Sequence, residues 1–412
     1  MSHAAARFWT DLAWRAYESA PAGTEILFHL GRRYVIPLLR YVVPVVRARG
    51  RTAADGRPGS ILMAGSGAQL LYLQRRFFID AEIENLGRCP VHALRRTLLA
   101  QGAEDDLIVA RVARCLAGAI SGGRFLRVPD LVDVWLDVHD RNRIKRGMSQ
   151  VMRRTSRAIL EHGFSWSDRH DPSDFECFYD NYYLPFASAR HHELAVVRER
   201  PVLRRHFRSG GILWIAKDGE EIAAALYRID GRVLTLLSLG TRNGSLEIRR
   251  QGALSAINLF TIKLALQRQL HWINLGGCMA SPSDGAFANK RALGGELRDR
   301  RESHRELLVR WPRFTPRVAR FLADVPLIAR SRNGLAALAA LPTGEPRLAL
   351  QLWRRWELPG LERVYVVTAD RWQPWRKGDA PPVPGKIWLC DAAAIEEVFT
   401  SARDAYAVST WR

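Results

Sequence analysis

The sequence has little cysteine, and its cysteines form no recognisable metal or disulfide pattern. Only five occur in 412 residues. They are scattered along the chain and include no C-x-x-C pair: Cys89, Cys115, Cys177, Cys278 and Cys390. Sparse, unpaired cysteines are typical of a reducing compartment, and the adjacent His191 and His192 lack the spacing of zinc ligands. We therefore predict a cytoplasmic protein without a metal site.

The chain also lacks a hydrophobic run long enough to predict a membrane-spanning helix. Its most apolar early segment, Tyr34–Val46, is shorter than the roughly 20 residues that a span needs, and it contains Arg40. Arg7 and Asp11 interrupt the region where a secretory signal would have its apolar core. Two interpretations remain for Tyr34–Val46 and its flanking arginines: packing in the protein's own core, or peripheral contact with an anionic membrane at the inner membrane face.

Acidic residues are too few to balance the basic ones. Sixty-two lysines and arginines against 42 acidic residues give a formal charge of +20, which favours anionic partners such as nucleotides, tRNA, acidic lipid headgroups or phosphorylated glycans. The excess is nearly all arginine, which is also typical of a GC-rich genome. A non-catalytic nucleic-acid-binding protein is one interpretation, but the sequence contains no recognised nucleic-acid-binding motif.

Two short motifs near residue 65 are incomplete. Gly65-Ser66-Gly67 follows an apolar run, as in a nucleotide-binding turn, but Leu70 stands where the third glycine of G-x-G-x-x-G belongs. Ala64 likewise replaces the first glycine of G-x-S-x-G, so this turn does not predict a serine-hydrolase nucleophile.

The most informative region that is present runs from Gly211 to Gly295. It contains three apolar, β-prone runs joined by turn residues, and Asp230-Gly231 between the second and third is a strong hairpin signal. An apolar helical run then begins near Gly252 and ends near Gln269. The predicted strands are Ile212–Ala216, Ile222–Ile229 and Val233–Leu239.

The start of that helix carries a basic, glycine-containing turn. Free backbone N–H groups and the positive end of the helix dipole favour an anion there, and Arg249 and Arg250 add charge-assisted contacts. Gly252 would let a ligand approach the backbone, so a pyrophosphate is one predicted occupant. The alternative is an ordinary helix N-terminus with solvated arginines.

Together with the strand His271–Leu275 and the Gly276-Gly277 pair that follow, this region resembles the GNAT acyltransferase fold. In that fold, Q/R-x-x-G-x-G/A at a helix start binds the pyrophosphate of coenzyme A. Arg249, Gly252 and Leu254 occupy those places, with Leu254 in place of the usual small residue.

A wider resemblance covers roughly residues 140 to 300 and points to the Fem-like branch of that superfamily. Its pieces follow in the same order along the chain: the basic segment Arg141–Arg146, the aromatic segment Phe178–Phe186 and the segment Ala288–Gly295. In the branch, the last piece is an aromatic-Lys-x-x-x-Gly loop. Here Lys290 and Gly294 keep the spacing, whereas Asn289 stands where an aromatic residue is usual.

The resemblance implies an α/β (α+β) fold class with tandem GNAT-like domains. Mixed, largely antiparallel central sheets would be flanked by helices, and a small C-terminal α/β appendage would follow. The predicted divisions are an N-terminal segment at 1–60, an N-terminal GNAT-like domain at 61–140, an acyltransferase domain at 141–300 and an accessory region at 301–412. Three local predictions accompany them: a loop over Arg49–Ser60, strands over Arg124–Val128 and Val132–Leu136, and helical structure over Val318–Leu341.

The resemblance also implies a set of site residues. The donor would lie against these residues: Leu239, Gly240, Arg249, Arg250, Gln251, Gly252 and Ala253. His191 or His192 is the predicted general base, since a neutral imidazole can remove a proton near pH 7. The alternative for this pair is a surface cap at a helix end.

The remaining predicted residues also have two interpretations each. Asp284 binds the acceptor in a catalytic role or caps the next helix, and Lys290 neutralises a phosphate or leaving group or is simply solvated. Tyr183 forms a substrate-stacking wall or packs in the core, and Arg190 is predicted to bind substrate.

The predicted function is transfer of an acyl group from acyl-CoA, most simply acetyl-CoA, to an amine or hydroxyl. The acceptor is an unidentified small molecule, with a cell-envelope or polysaccharide precursor as one class. The alternative within the family is Fem-like aminoacyl transfer from charged tRNA, which the basic segment Arg141–Arg157 would suit. The sequence predicts no oligomeric state.

Overall fold

The computed structural model describes residues 42–139, 144, 147–191, 197–300, 303–331, 334–341, 346–368 and 387–391. By their contacts, these residues divide into two compact units. The central unit comprises Val134–Gly276 and Ala292–Gly295. The terminal unit comprises the described residues up to Asp133, Gly277–Arg291 and those from Glu296 onward. The domain divisions expected at residues 61, 141 and 301 stay predictions.

Strands and helices alternate along the described chain. The strands are β1 (Val42–Arg51), β2 (Pro58–Ala64), β3 (Glu82–Pro90), β4 (Leu107–Ala113), β5 (Leu126–Pro129), β6 (Val132–Asp137), β7 (Phe164–Arg169), β8 (Gly210–Lys217), β9 (Glu220–Asp230), β10 (Val233–Thr241), β11 (Trp272–Cys278), β12 (Glu296–Asp299), β13 (Arg305–Arg310), β14 (Leu327–Ser331), β15 (Gly334–Leu341), β16 (Leu361–Thr368) and β17 (Ile387–Asp391).

The helices are α1 (Ala68–Phe77), α2 (Leu94–Gln101), α3 (Arg114–Ser121), α4 (Gln150–Glu161), α5 (Pro172–Phe178), α6 (Leu184–His191), α7 (Arg200–Phe207), α8 (Leu246–Arg250), α9 (Ala253–Gln267), α10 (Gly285–Ala292), α11 (Pro316–Asp324) and α12 (Pro346–Trp356). A π-helix at Tyr179–Tyr183 joins α5 to α6, and a 3₁₀ turn at Arg242–Gly244 follows β10. No helix in the described part of the chain is long and apolar enough to cross a membrane.

The terminal unit contains a six-stranded sheet in the order β3-β1-β2-β4-β13-β5. Only β2 and β4 are parallel neighbours, so the sheet is mixed and largely antiparallel. The prediction of a loop over Arg49–Ser60 is wrong for both ends of that range, because β1 continues to Arg51 and β2 begins at Pro58. Carboxylates stabilise the basic strand: Arg47 pairs with Asp105 at 3.2 Å.

Apolar residues of β1 also bear on the role of the early apolar segment. Val45 and Ala48 are buried in the sheet, which favours packing in the core for the part of the segment from residue 42 onward. Residues 34–41 lie outside the described residues. Peripheral membrane contact therefore stays a prediction for them alone.

The terminal unit also holds a four-stranded sheet in the order β14-β15-β16-β17. The prediction of helical structure over Val318–Leu341 is correct only as far as Asp324, where α11 ends. From Leu335 to Leu341 every residue of β15 is buried, as expected for a strand covered on both faces. A continuous apolar run of this kind carries no periodicity that separates a strand from a helix.

In the central unit, six neighbouring strands run in the order β6-β11-β10-β9-β8-β7. All described neighbours from β10 to β7 are antiparallel, whereas β10 and β11 are parallel. The three predicted strands are confirmed within β8, β9 and β10. The predicted class, α/β (α+β) with mixed sheets flanked by helices, is confirmed as well.

Helices cover both faces of this sheet. On one face, Ile212 and Trp214 of β8 pack against aromatic residues of α5, the π-helix and α7. Side chains alternate between faces along a strand, and on the other face Phe260 of α9 stacks on Trp166 of β7 with centroids 6.2 Å apart. The sheet of the central unit is therefore packed between two helical layers.

Candidate functional site

The two parallel strands of the central unit pair over a short length and then separate. Val233–Thr235 of β10 pairs with Trp272–Asn274 of β11, and no further pairing between them occurs among the described residues. The pairing of β10 with β9 also shifts register between Leu236 and Ser238. Such a bulge bends a strand and increases its twist. The edge of β10 from Leu236 onward, which includes Leu239 and Gly240, is thus not covered by β11.

The chain after β10 returns as two consecutive helices rather than one. Ser245 begins α8, and its side chain accepts a hydrogen bond from the Ile248 N–H at 3.3 Å. Arg249 and Arg250 end this short helix and are exposed. Gly252 follows with φ 96°, and α9 begins at the next residue. The basic turn predicted from sequence therefore lies at the junction of two helices.

The backbone N–H groups of this junction are not all available to a ligand. The Gln251 N–H donates to the Glu247 oxygen at 3.0 Å, and the Gly252 N–H donates to the Arg249 oxygen at 3.1 Å. The first i to i−4 bond of α9 runs from Ala256 to Gly252. The amides of 253–255 precede that bond, so they are the N–H groups that an anion at the helix start would meet. An added Cβ at Gly252 would have no atom within 4 Å, so the space in front of it is open.

Close packing leaves no room for a side chain at Gly240. A Cβ at this position would overlap the backbone of Tyr182 and Tyr183 in the π-helix. The π-helix thus lies directly against the end of β10. Short π segments of this kind are frequent at functional sites. No feature of the local sequence distinguishes this π-helix from an ordinary helical turn, and the sequence analysis missed it.

Tyr183 lies in the core of the central unit. Its ring stacks on Phe178 with centroids 6.0 Å apart, and its hydroxyl oxygen accepts the Arg198 N–H at 2.8 Å. Burial and this hydrogen bond favour the core-packing interpretation of Tyr183. Its neighbour Tyr182 donates to the Glu221 carbonyl at 3.1 Å, and burial raises the pKa of Tyr182 to about 12.

Asp284 and Lys290 lie near each other in the terminal unit. The Asp284 side chain accepts the Phe287 N–H at 3.0 Å and so caps α10.

The half-buried Lys290 donates to the Gly277 oxygen at 3.0 Å. Burial lowers the pKa of Lys290, and the neighbouring Cys278, Asp133 and Asp284 oppose that shift. This burial contradicts the alternative interpretation, in which Lys290 is simply a solvated surface lysine.

Cys278 is a further group beside Lys290 that sequence reasoning did not single out. Its thiol is buried, and burial raises its pKa to about 12, so it stays protonated at neutral pH. The thiol lies 3.6 Å from the Val132 oxygen. Its position directly after Gly276-Gly277 is the only sequence signal that could have indicated it.

The predicted general base lies beyond what the structure describes. Arg190 and His191 lie at the end of α6, and their side chains are outside the described part of the structure. His192 lies outside the described residues. The expectation that Arg190, His191, His192, Asp284 and Lys290 converge in one cleft therefore stays a prediction.

No protein-family model and no curated protein matches this chain. Solved structures with a similar arrangement include FemX, at 11% identity and a TM-score of 0.36, over 71% of this chain and 94% of that one. L-PGS from Bacillus licheniformis is similar at 10% identity and a TM-score of 0.32, over 64% and 81% of the two chains. A GCN5-related N-acetyltransferase from Kribbella flavida is similar at 15% and 0.27, over 68% and 93%. Such low TM-scores and identities define neither a family nor an activity for this chain.

Proposed function

We propose that the central unit is an acyltransferase that uses an acyl-CoA donor, most simply acetyl-CoA. The acceptor is an amine or hydroxyl, with an envelope or polysaccharide precursor as one class. The proposal depends on the separation of β10 from β11 beyond Thr235, together with the open helix start at Gly252. In open sheets, ligands bind beyond the carboxyl ends of parallel strands, which is where both features lie.

The residues present fit the diphosphate of such a donor. Arg249 and Arg250 are exposed cations, and the amides of 253–255 point out of the helix start, where the dipole also favours an anion. Because Gly252 has no side chain, a phosphate can approach this backbone closely. The donor itself would supply the activated thioester carbonyl.

The stretch of β10 that β11 leaves unpaired suits the other requirement of acyl transfer. A developing oxyanion is stabilised best by fixed hydrogen-bond donors, and backbone N–H groups on a rigid strand cost no reorganisation. The stretch from Leu236 to Gly240 offers such groups. We propose His191 or His192 as the base that leaves the acceptor amine neutral.

Calorimetry with coenzyme A tests the donor site. Gly252→Glu places a carboxylate in the open space before α9, where it repels a diphosphate, and we expect binding to fall at least about tenfold. Gly219→Glu is the matched control, because Gly219 also has positive φ and open space in front of it. Both variants should keep the wild-type circular dichroism. Equal affinity of the two variants for coenzyme A would refute the donor assignment.

Aminoacyl transfer from charged tRNA is the second candidate, and the exposed arginines of α4 favour it. Arg153, Arg154 and Arg157 of this helix are all exposed, and such a cationic surface binds RNA in a salt-dependent way. Replacing all three with Gln should abolish tRNA binding in a filter assay if this candidate is correct. Unchanged coenzyme A binding by the same variant would then separate the two donors.

A further inference from the structure

A second groove of the central unit lies at the amino ends of β10 and β11. Its volume is about 540 Å³. Arg232 precedes β10, His271 precedes β11, and Arg268 and Gln269 follow α9; His139 also lines the groove. None of the described residues that line it is acidic. The groove therefore presents two guanidinium groups, two imidazoles and an amide.

Two histidines and an arginine form its polar wall. The rings of His139 and His271 lie 4.7 Å apart, and Arg232 Nη1 lies 2.8 Å from His271 Nε2. An arginine can only donate, so Nε2 accepts and the neutral ring of His271 carries its proton on Nδ1. Desolvation first, and then Arg232 and His139, lower the pKa of His271, while Asp137 opposes them.

The C-terminal end of α9 lies beside the groove, and it opposes the binding of an anion there only weakly. The carbonyl oxygens of Leu264, Ala265 and Leu266 accept the N–H groups of Arg268, Leu270 and Gln269, at 2.9, 2.9 and 3.2 Å. These hydrogen bonds satisfy carbonyls that would otherwise face an anion.

Two carboxylates stand near the groove without lining it. Asp168 is already engaged, because it accepts the Tyr227 hydroxyl at 2.6 Å and pairs with Arg268 at 2.6 Å. Asp137 accepts the His139 N–H at 3.0 Å. An anion in the groove therefore meets Arg232 and the two imidazoles ahead of either carboxylate.

We propose that this groove binds a phosphate monoester group. On binding, the phosphate oxygen replaces His271 Nε2 as the acceptor for Arg232. The freed Nε2 takes a proton from solvent, and the resulting imidazolium donates to the same phosphate. The site is separate from the proposed donor site, because Gly252 and Arg268 lie at opposite ends of α9, about 24 Å apart along the helix.

NMR titration of the histidine ring protons with inorganic phosphate tests this site, with chloride at matched ionic strength as the reference. We expect phosphate to shift the His271 and His139 signals and to raise the pKa of His271, because the bound dianion favours the charged ring. An unchanged His271 pKa at saturating phosphate would overturn the proposal.

Variants separate this site from a general effect of charge. Arg232→Gln should weaken the phosphate effect about tenfold, whereas Arg153→Gln removes the same charge from α4 and should leave it unchanged. Equal weakening by both variants would contradict the proposal. Gly252→Glu should also leave the His271 response intact. Loss of the response in that variant would show that the phosphate acts at the donor site instead, which refutes this inference and not the proposed function.

The source of the phosphate group is resolved by two further ligands. Glycerol 3-phosphate tests a soluble monoester, and vesicles containing phosphatidic acid test a lipid headgroup. Arg232-dependent binding of either supports the site and identifies its ligand. If both ligands leave the wild-type protein and Arg232→Gln indistinguishable, the site does not recognise a monoester.

Discussion

The Lys290 ammonium donates to the carbonyl oxygen of Gly277 at 3.0 Å. This contact joins α10 to the end of β11 and places an ammonium group beside the buried thiol of Cys278. Burial holds the pKa of Lys290 below its ordinary value of 10.5. A lysine in this setting releases its proton more readily than a surface lysine, so it can act as a neutral amine closer to physiological pH.

The lowered pKa of Lys290 predicts how stability depends on pH. Between the lowered value and 10.5, the unfolded chain binds a proton that the folded protein has released, so the free energy of unfolding rises with pH through this group. In urea unfolding between pH 7 and pH 10, we expect the wild type to gain stability relative to Lys290→Met as pH rises.

The same substitution at Lys217 serves as the control, because it removes one positive charge from the end of β8. The Lys217 ammonium lies over the Phe164 ring at 5.6 Å. If Lys217→Met and Lys290→Met respond to pH in the same way, the effect belongs to net charge and not to the surroundings of Lys290.

Gly240 predicts a second measurable effect. Gly240→Ala would drive a methyl group into the backbone of Tyr182, which cannot yield as a flexible side chain can, so we expect a loss of about 2–4 kcal/mol in the free energy of unfolding. Gly285→Ala is the control, because a Cβ there meets nothing within 4 Å at the start of α10. That variant should be neutral or slightly stabilising. Equal stability of the two variants in urea would refute the close approach of the π-helix to β10.

The strands of the central unit could be predicted because their signals are local. Alternating or apolar runs end at turn residues such as Asp230-Gly231, and the hairpins they predict bring neighbours in sequence together. The short pairing of β10 with β11 is different, since 35 residues lie between Thr235 and His271 and no local pattern fixes how far the two strands remain side by side. The stretch of β10 that β11 leaves unpaired therefore emerges only from the fold.

The prediction of a helix over the residues of β15, in the terminal unit, was wrong for a physical reason. The alanines and leucines of β15 favour helices in isolation, but burial between neighbouring strands overrides that propensity. The pairing of β13 with β4 could not be predicted either, because the two strands lie almost 200 residues apart in the chain. The surroundings of Lys290 also bring together distant segments, including Asp133 and Asp284. A sequence motif could identify this lysine but could not predict its lowered pKa.

Glu306 predicts a large stability effect in the terminal unit. Its carboxylate is fully buried and receives hydrogen bonds from Arg127 at 2.7 Å and Arg330 at 2.6 Å. Glu306→Gln removes the charge but keeps the shape, so Arg127 loses this carboxylate partner and Arg330 is left with its pair with Asp299. Because breaking a buried ion pair is strongly destabilising, we expect a loss of about 3 kcal/mol in urea unfolding.

An exposed pair provides the comparison for Glu306. Glu220 accepts from Arg242 at 2.7 Å, but its side chain is 70% exposed. Water screens this pair, so Glu220→Gln should change stability by less than about 1 kcal/mol. If Glu306→Gln were as mild, the buried charge of Glu306 would not contribute more to stability than the exposed charge of Glu220.

Asp299 predicts the response of the terminal unit to acid. Burial alone would raise the pKa of Asp299, but Arg330 and Arg114 outweigh it and hold the pKa below its ordinary value of 3.8. The folded protein therefore keeps this carboxylate charged at a pH where the unfolded chain begins to protonate it. The stability that Asp299 contributes is present in full above that range and is lost as pH falls through the lowered value. In urea unfolding from pH 6 to pH 2.5, the difference between wild type and Asp299→Asn should shrink below about pH 4. A difference that stays constant across this range would show that the Asp299 carboxylate has no lowered pKa.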